Sequence, residues 1–290
     1  MAYVANNQLV LINPDGSTRT VLVDGGAIDP NDAVVNSLGS PVWSQDGRMI
    51  AYAYHGLSFY SLDTGASTLV LENKFSDVSG LKIANEIYSP QSYSPDGKKL
   101  LINIGFYEGG TLAIYYPEAN AVVRLSGSDN GQPCCKAVWT VDSTGLYAAS
   151  PYIGMISSGL WYIDASDGKV TTLVPSQSPD GTYNFADAPI IGPDGQLYFF
   201  FSNLKDIPNG HTPLQIVRSG LDGVTGRTVL NDTTFDRLNE ALWSPDASFV
   251  ITTDAPIAEE YAGGVPSIFY LDGRPKLQLA EYATQLKWGP

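Results

Sequence analysis

The chain has 290 residues, of which 43% are hydrophobic and 11% aromatic, so it has enough apolar side chains to bury a core and is not intrinsically disordered. Its 16 Lys and Arg stand against 30 Asp and Glu, a net charge of −14, which argues against nucleic acid or an anionic membrane as a partner, because both require a basic patch. No apolar run approaches the roughly 18 residues of a membrane helix, so membrane insertion is not expected.

A short motif recurs after three predicted N-terminal strands, Ala2–Ala5, Gln8–Asn13 and Thr18–Val23. Its reference copy is Ala241–Asp246, which starts apolar and breaks at Pro-Asp, as expected of a strand that runs into a tight turn. The other copies, two of them weaker and the last one cut off by the chain end, are 41–47, 91–97, 137–142, 189–195 and 286–290.

One position of the motif, aromatic in every copy but one, marks the repeat. The marker residues lie 45 to 52 positions apart and are Trp43, Tyr93, Trp139, Ile191, Trp243 and Trp288. Periods of about 40 to 50 residues are typical of propeller blades.

Each full copy of the motif is followed by three further predicted strands, joined by turns rich in Asp and Gly, which adopt positive φ or cap the backbone locally. In chain order these strands are Met49–Tyr54, Leu57–Leu62, Ser67–Leu71, Lys99–Ile104, Thr111–Tyr116, Ala121–Leu125, Gly145–Ala149, Gly159–Ile163, Lys169–Val174, Leu197–Phe201, Leu214–Ser219, Arg227–Leu230, Phe249–Thr253, Ser267–Leu271 and Lys276–Leu279. Four strands joined by hairpins form one antiparallel blade. Because no helical period of useful length occurs, the sequence predicts an all-β chain.

The two ends of the chain complement each other. Leu286–Trp288 is a first strand without successors, whereas the three N-terminal strands lack a first strand. Pairing them closes a ring and removes the free sheet edges of an open array. We therefore predict a six-bladed β-propeller of four-stranded antiparallel blades, forming one monomeric domain over residues 1–290. Because the last repeat stops inside its motif and no signal peptide precedes the first strand, we expect a domain excised from a longer exported protein.

The segments 43–47, 93–97 and 243–246, each followed by an aliphatic strand and an Asp-x-Gly turn, resemble the WD-like Trp-Ser-Pro-Asp-Gly repeat of TolB-type six-bladed propellers. The resemblance covers the whole chain and implies the architecture. It does not imply one function, since such repeats occur in periplasmic scaffolds, in propeller domains of prolyl-oligopeptidase-like peptidases and in many exported proteins. The 290 residues contain no peptidase domain. At Ser143–Thr144 and Ala247 the turn glycine is missing or displaced, so a different turn type is open there.

Connections between blades, and between the second and third strands of a blade, are predicted to be long and to emerge at one end of the blades. They are Asp24–Ser40, Glu72–Pro90, Ser126–Lys136, Pro175–Ala188, Ser202–Pro213 and Asp254–Pro266. Loops on a rigid scaffold are where binding residues usually lie, although these loops could also simply cover the blade ends.

Residues just before the first strands should form a polar collar around the mouth of the central channel. The collar positions are Ser40, Gln91, Lys136, Asp187, Glu240 and Gln285, with Tyr88, Cys134, Cys135 and Asn239 beside them. Such a collar suits a peptide terminus, a sugar or a cation, and water alone is the alternative.

Cys134 and Cys135 are the only cysteines, and they are adjacent. Neighbouring cysteines lack the spacing of a zinc signature. Two free thiols and a strained bond between neighbours are both open. The bond would imply an oxidising compartment, extracellular or periplasmic, and would offer a rigid sulfur surface that a ligand contacts.

Catalytic and metal signals are weak. His55 and His211 are accompanied neither by a Gly-x-Ser-x-Gly elbow nor by a metal-ligand pattern, so no catalytic residue is assigned. Segment 29–32 offers oxygen ligands for calcium but lacks the glycine and distal glutamate of a calcium loop, so no cofactor is assigned either. Glu259 and Glu260 are interpreted as solvated charges. Residues 231–233 fit a glycosylation sequon, which matters only in a eukaryotic secretory context.

Three functional hypotheses follow. The favoured one is a non-enzymatic binding or scaffold propeller that is exported and binds a protein, peptide or glycan at its loop-rich face. The second is a hydrolase or lyase at the channel mouth, with a divalent cation held by Asp187 and Glu240. The third is a purely structural module of a larger exported protein.

Overall fold

The structure is a computed structural model and describes residues 2–13, 15–28, 37–106, 109–126, 136–152, 157–256, 263–284 and 286. All regular secondary structure in these residues is β, which confirms the all-β prediction. Consequently, no described segment is a helix long and apolar enough to cross a membrane.

The described strands form six antiparallel sheets, and within each sheet the strands lie side by side in chain order. The first three sheets contain β1 Ala2–Ala5, β2 Gln8–Leu11 and β3 Thr20–Asp24; β4 Gly39–Trp43, β5 Met49–Ala53, β6 Gly56–Ser61 and β7 Ser67–Glu72; and β8 Lys74–Val78, β9 Leu81–Tyr93, β10 Leu100–Phe106, β11 Gly109–Tyr116 and β12 Ala121–Arg124. The last three contain β13 Lys136–Trp139, β14 Gly145–Ser150, β15 Gly159–Asp164 and β16 Val170–Val174; β17 Tyr183–Ile191, β18 Leu197–Leu204, β19 Leu214–Ser219 and β20 Thr228–Phe235; and β21 Leu238–Trp243, β22 Phe249–Asp254, β23 Val265–Tyr270 and β24 Leu277–Gln278.

The described residues divide into two compact units of three sheets each. The first unit runs from the N-terminus to Leu125 and includes Ala165–Gly168, and the second contains Ser126–Asp164 and the described residues from Lys169 to Leu286. Strands β1 to β3 form the predicted N-terminal sheet of three. The predicted C-terminal strand lies almost entirely outside the described residues, so its pairing with β1 stays a prediction.

The third sheet has five strands, because the segment expected to be the long loop 72–90 folds into a β-hairpin. β8 pairs with the first half of β9, and β10 pairs with the second half. Between them, Ser79 and Gly80 both have positive φ, 56° and 82°, as a two-residue type I′ turn requires. The Ser-Gly pair between two short strand segments is the sequence signal for this hairpin.

Side-chain hydrogen bonds from a hydroxyl and an aspartate hold the turn that follows four copies of the motif. In the β4–β5 turn, Ser44 Oγ donates to Asp46 Oδ1 (2.6 Å) and accepts from the Met49 N–H (2.9 Å). Asp46 Oδ1 also accepts from the Arg48 N–H (3.1 Å). Corresponding bonds occur in the turns that start at Ser94, Thr140 and Ser244. The motif thus places a hydroxyl two residues before Asp because the pair satisfies the turn's backbone donors.

The two turns without a glycine keep the same conformation. Ser143 and Ala247 adopt φ of 61° and 53°, close to the 69° of Gly47 in the corresponding position. Their N–H groups donate to the carbonyl oxygens of Thr140 and Ser244, both at 2.9 Å. The alternative of a different turn type is therefore wrong, because side-chain hydrogen bonds hold the turn even where φ is unfavourable for a non-glycine residue.

The core lies between neighbouring sheets within each unit. In the second unit, Phe199 and Phe201 of β18 pack toward Tyr147 and the preceding sheet. The intervening Phe200 packs on the other face, against Trp243 and the following sheet. Alternation with period two thus buries both faces of β18, which is why that strand reads as a continuous apolar run.

Candidate functional site

β-Bulges lie at the collar positions of four first strands. The pairing register shifts between Gly39 and Val42 of β4, at Gln91 in β9, after Asp187 in β17, and at Asn239 in β21. A bulge inserts an extra residue, bends the strand and re-aims a side chain. The polar collar residues therefore lie where the regular alternation of the strand is broken.

Lys136 connects the first strands of all three sheets in the second unit. It is the first residue of β13, and its Nζ donates to Asp187 Oδ2 of β17 (2.9 Å) and to the Asn239 carbonyl oxygen of β21 (3.1 Å). Asp187 Oδ1 accepts from the N–H of Ala188 (2.7 Å). We call Lys136, Asp187, Asn239 and Glu240 the lysine cluster.

The ion pair in the lysine cluster is asymmetric in its exposure. The Asp187 side chain is 1% exposed, whereas that of Lys136 is 36% exposed. Burial alone would lower the pKa of the Lys136 ammonium, but the attraction and hydrogen bond of Asp187 outweigh it, and the pKa is raised. The ammonium is therefore charged at neutral pH, and it is the part of the pair that a molecule arriving from solvent can reach.

Asn239 and Glu240 hold neighbouring backbone segments of the second unit in place. Asn239 Nδ2 donates to the Gly263 carbonyl oxygen (2.7 Å). The two carboxylate oxygens of Glu240 accept from the N–H of Gly263 (3.2 Å), the hydroxyl of Thr284 (3.2 Å) and the N–H of Leu286 (2.8 Å). Glu240 thereby anchors the C-terminal segment beside β21.

Two collar residues, Ser40 and Gln91, belong to the first unit. Ser40 is exposed and has a positive φ of 51° at its bulge, and Gln91 is the partly buried extra residue of the β9 bulge. Three of the predicted ligand-binding residues, Cys134, Cys135 and Gln285, lie outside the described residues, as do the segment 29–32 and the pair Glu259 and Glu260.

Tyr88, predicted beside the collar, has the contacts of a core residue. It is 3% exposed, is paired with Ile104, and donates its hydroxyl hydrogen to Glu86. Glu86 also accepts from Lys74 Nζ (2.7 Å) and from Arg124 Nη2 (2.6 Å). Burial would raise the pKa of the Glu86 carboxyl, but the bonds from Lys74 and Tyr88 outweigh it and the pKa is lowered. This network joins the β8–β9 hairpin to β12 and could not be read from the sequence, because its members are distant in the chain.

Asp187 and Glu240, the acids that the cation hypothesis requires, already have hydrogen-bond partners within the protein. The carboxylate of Asp187 is engaged by an ammonium and an N–H, and both oxygens of Glu240 accept hydrogen bonds. Within the described part of the chain, no group of three or more His, Cys, Asp or Glu side chains could hold a metal ion. His55 lies in the β5–β6 turn with its ring 4.2 Å from that of Tyr54, which is a packing contact.

Comparison with protein-family models and with curated protein sequences found no match. Among solved structures, TolB from Acinetobacter baumannii is similar with a TM-score of 0.53 and 20% identity, over 97% of this chain and 63% of that one. An oligogalacturonate lyase in complex with manganese has a TM-score of 0.63 and 12% identity, over 94% and 70% of the two chains. Dipeptidyl peptidase 4 from Porphyromonas gingivalis has a TM-score of 0.54 and 12% identity, over 97% of this chain and 43% of that one. This chain thus spans less than two thirds of the TolB chain, and it has the TolB-like β-propeller fold, to which chains of a lyase and a peptidase are also similar.

Proposed function

We propose that the chain is a non-enzymatic binding module of an exported protein and that the lysine cluster belongs to its ligand site. The observation that carries the proposal is the position of Lys136, whose ammonium is held across the first strands of three sheets by Asp187 and the Asn239 carbonyl. A charged donor held on rigid strands, at the end where the long connections emerge, is preorganised for recognition.

The chemistry of the cluster indicates what the ligand offers. An ammonium has three donor positions, and Lys136 uses two of them on acceptors among the described residues. Asp187 is buried beneath it and is not accessible to a ligand. The ligand therefore presents an acceptor oxygen to Lys136, such as a peptide carbonyl or carboxylate or a glycan oxygen.

Binding is favoured over catalysis because the acids of the cluster are already engaged. A general acid or base needs access to the proton that it transfers, and a metal ligand needs a free lone pair. Asp187 is 1% exposed and Glu240 holds the C-terminal segment, so a substrate or a metal ion would have to displace these partners in the described geometry. The hydrolase or lyase hypothesis would need both to exchange their partners.

The fluorescently labelled chain is tested for binding to an array of peptides, with free and with amidated C-termini, and to an array of oligosaccharides. Compounds that bind the wild type should bind the double variant Lys136→Met, Asp187→Asn more weakly, because this variant removes the donor without leaving a buried unpaired carboxylate. Lys205→Met is the matched control, since Lys205 is exposed in the β18–β19 connection at the same end of its sheet. Retained binding to the double variant, or no binder in either array, contradicts the proposal. Turnover of oligogalacturonate with manganese would favour the enzyme hypothesis instead.

Export is the second part of the proposal, and the cysteine pair tests it. A bond between Cys134 and Cys135 forms and persists in an oxidising compartment, whereas cytosolic thiols are kept reduced. Intact mass of protein made under oxidising conditions, measured after thiol alkylation with and without prior reduction, should show both thiols protected until reduction. Two freely alkylated cysteines in unreduced protein would remove this support for export.

A further inference from the structure

A cavity of about 640 Å³ lies in the first unit, where the short-turn ends of the β4–β7 and β8–β12 sheets meet. It is bounded by the turns near Ser44 and Thr64 of one sheet and near Asp96 and Pro117 of the other. Pockets of about 300–1,000 Å³ are typical of small-molecule sites. The cavity shares no residue with the lysine cluster, and the short turns leave each sheet at the end opposite to the long connections.

The wall of this inter-sheet cavity is largely apolar and partly aromatic. Its apolar lining consists of Met49, Phe59, Val70, Tyr93, Tyr115 and Pro117. The rings of Phe59 and Tyr115 are stacked with their centroids 5.9 Å apart. Aromatic rings attract cations through their negative faces and also accommodate apolar groups.

The charges on the rim of the cavity favour a cation. Three carboxylates, those of Asp46, Asp96 and Glu118, line it together with one ammonium, that of Lys98. Asp96 Oδ2 also lies 3.4 Å from the Nζ of a second lysine, Lys99. Negative charge concentrated beside a low-dielectric wall attracts cations and repels anions.

Tyr93 supplies the polar group inside the cavity. The residue is buried, with 8% of its surface exposed, and its hydroxyl makes no hydrogen bond to the described residues. Asp46 lines the same cavity as Tyr93. Burial raises the pKa of Tyr93, and the Asp46 carboxylate raises it further. This hydroxyl lies at the cavity wall and is not closed off in the core, so it is available to a ligand group.

The second unit contains a cavity in the corresponding position that lacks these features. This cavity, of about 630 Å³, lies beside the β13–β14 turn and is lined by Asp142, Tyr147, Tyr162 and Ile191. Ile191 is the marker residue that corresponds to Tyr93, and Asp142 is the one carboxylate in the lining. The packing of neighbouring sheets thus produces the space in both units, whereas a tyrosine at the marker position and three acids in the lining distinguish the cavity of the first unit.

We propose that the inter-sheet cavity of the first unit binds a small organic ammonium ligand. The ammonium donates to the Tyr93 hydroxyl oxygen and faces the Asp46 carboxylate, and the apolar body of the ligand packs against Met49, Phe59 and Val70. A free amine and a lysine side chain share this chemistry, so both are tested.

The test uses 2-phenylethylammonium, its neutral analogue 2-phenylethanol and the anion phenylacetate, added to the full chain labelled with ¹⁵N. An Nα-acetyl-lysine amide represents the lysine side chain. We expect backbone amide shifts around Ser44–Asp46 and Asp96–Lys98 with the ammonium probes, binding of the alcohol that is weaker by about tenfold, and no binding of phenylacetate. Comparison of the two ammonium probes identifies the source of the natural ligand.

Two variants link the binding to named groups. Tyr93→Phe removes the hydroxyl but no hydrogen bond of the described fold, and Asp46→Asn removes the charge but retains the Oδ1 acceptor of the turn. Each should weaken binding of 2-phenylethylammonium by about tenfold, because each removes one favourable interaction with the charged group of the ligand. Asp142→Asn, in the corresponding turn of the second unit, is the matched control and should leave binding unchanged.

Several results would overturn the proposal. One is equal affinity for the ammonium, alcohol and acid probes, since charge would then not be recognised. Another is unchanged ammonium binding by both variants while their melting temperatures match that of the wild type. If neither ammonium probe bound at about 10 mM, the proposal would be overturned as well, because an affinity weaker than this is too low for a specific site.

Discussion

The indole N–H of Trp243 donates a hydrogen bond of 2.6 Å to the carbonyl oxygen of Ala188. Both residues are buried, and Ala188 has a positive φ of 44° beside the bulge in β17. The residue before it, Asp187, is the carboxylate that holds Lys136. The marker aromatic of one repeat therefore fixes the strained backbone that positions the candidate site in the preceding repeat.

Trp243→Phe should destabilise the second unit by about 1–3 kcal/mol, because it retains an aromatic ring but leaves the buried Ala188 carbonyl without its donor. Urea denaturation measures this change. The matched control is Trp43→Phe at the corresponding position of the first unit, where Trp43 is only partly buried. Equal losses for the two variants would show that ring volume, and not the hydrogen bond, accounts for the effect.

The Lys136–Asp187 pair should show strong coupling in a double-mutant cycle. Lys136→Met leaves a buried carboxylate without its ammonium and should cost about 3 kcal/mol or more. Asp187→Asn should cost less, about 1–2 kcal/mol, since Lys136 is one-third exposed and water screens it. The double variant should lose less than the sum of the single variants by at least about 1 kcal/mol. Additive losses would contradict a specific ion pair.

The pH dependence of the same pair has a definite sign. The pKa of Lys136 is raised above its ordinary value of 10.5 in the folded protein, so the unfolded chain loses this proton first as the pH rises. The stabilisation is complete below about pH 10 and is lost as the pH rises through the folded pKa. The free energy of unfolding, measured by urea denaturation at a series of pH values, should therefore decrease more steeply above pH 10 for the wild type than for the double variant.

The repeat spacing and the turn residues sufficed to predict most of the strands. Lys136, Asp187 and Glu240 were placed at one end of the first strands by aligning the repeats, and the structure brings Lys136 and Asp187 into contact. The contact itself could not be predicted, because it depends on the bulge after Asp187, and a bulge shifts the register by one residue without a clear sequence signal.

Other features were missed for different physical reasons. Tyrosine is a common residue in binding sites, and only the hydrogen bond of Tyr88 to Glu86 in the folded structure reveals its packing role. The inter-sheet cavity of the first unit lies between two sheets, so its lining comes from segments up to about 70 residues apart. The β8–β9 hairpin had a local signal at Ser79–Gly80, but it lay within a segment interpreted as a loop.

Gly56→Ala should be among the most destabilising glycine substitutions in the first unit. Gly56 has a φ of +144°, and an added Cβ would lie 1.9 Å from the Leu71 carbonyl oxygen in β7. Strain and overlap together should cost more than about 3 kcal/mol. Gly47→Ala is the control, since its φ of +69° faces open space and Ala247 occupies the same turn position naturally. It should cost about 1–2 kcal/mol, and a larger loss than that of Gly56→Ala would contradict the prediction.

The turn carboxylates should protect the fold against acid down to about pH 2. Hydrogen bonds from Ser244 and Ser248 lower the pKa of Asp246 from 3.8 to about 2. A depressed folded pKa contributes stability above the unfolded value, and that contribution is lost as the pH falls from about 4 to about 2. Asp246→Asn should flatten the loss of stability in this window, measured by urea denaturation. Asp206→Asn, an exposed acid in the β18–β19 connection, is the control and should leave the slope unchanged.

Deletion of residues 286–290 tests closure of the ring. If the C-terminal strand completes the first sheet, its loss exposes the free edge of β1 and empties the site of Trp288, at a cost of roughly 3–5 kcal/mol. Hydrogen exchange should then speed up both at the outer amides of β1 and near Thr284. Glu240→Gln is the comparison, because it weakens the anchor of Leu286 (2.8 Å) but leaves the strand present. Faster exchange near Thr284 alone after the deletion would show that the C-terminal segment only docks on Glu240, and an unchanged melting temperature would refute closure of the six-bladed ring by this strand.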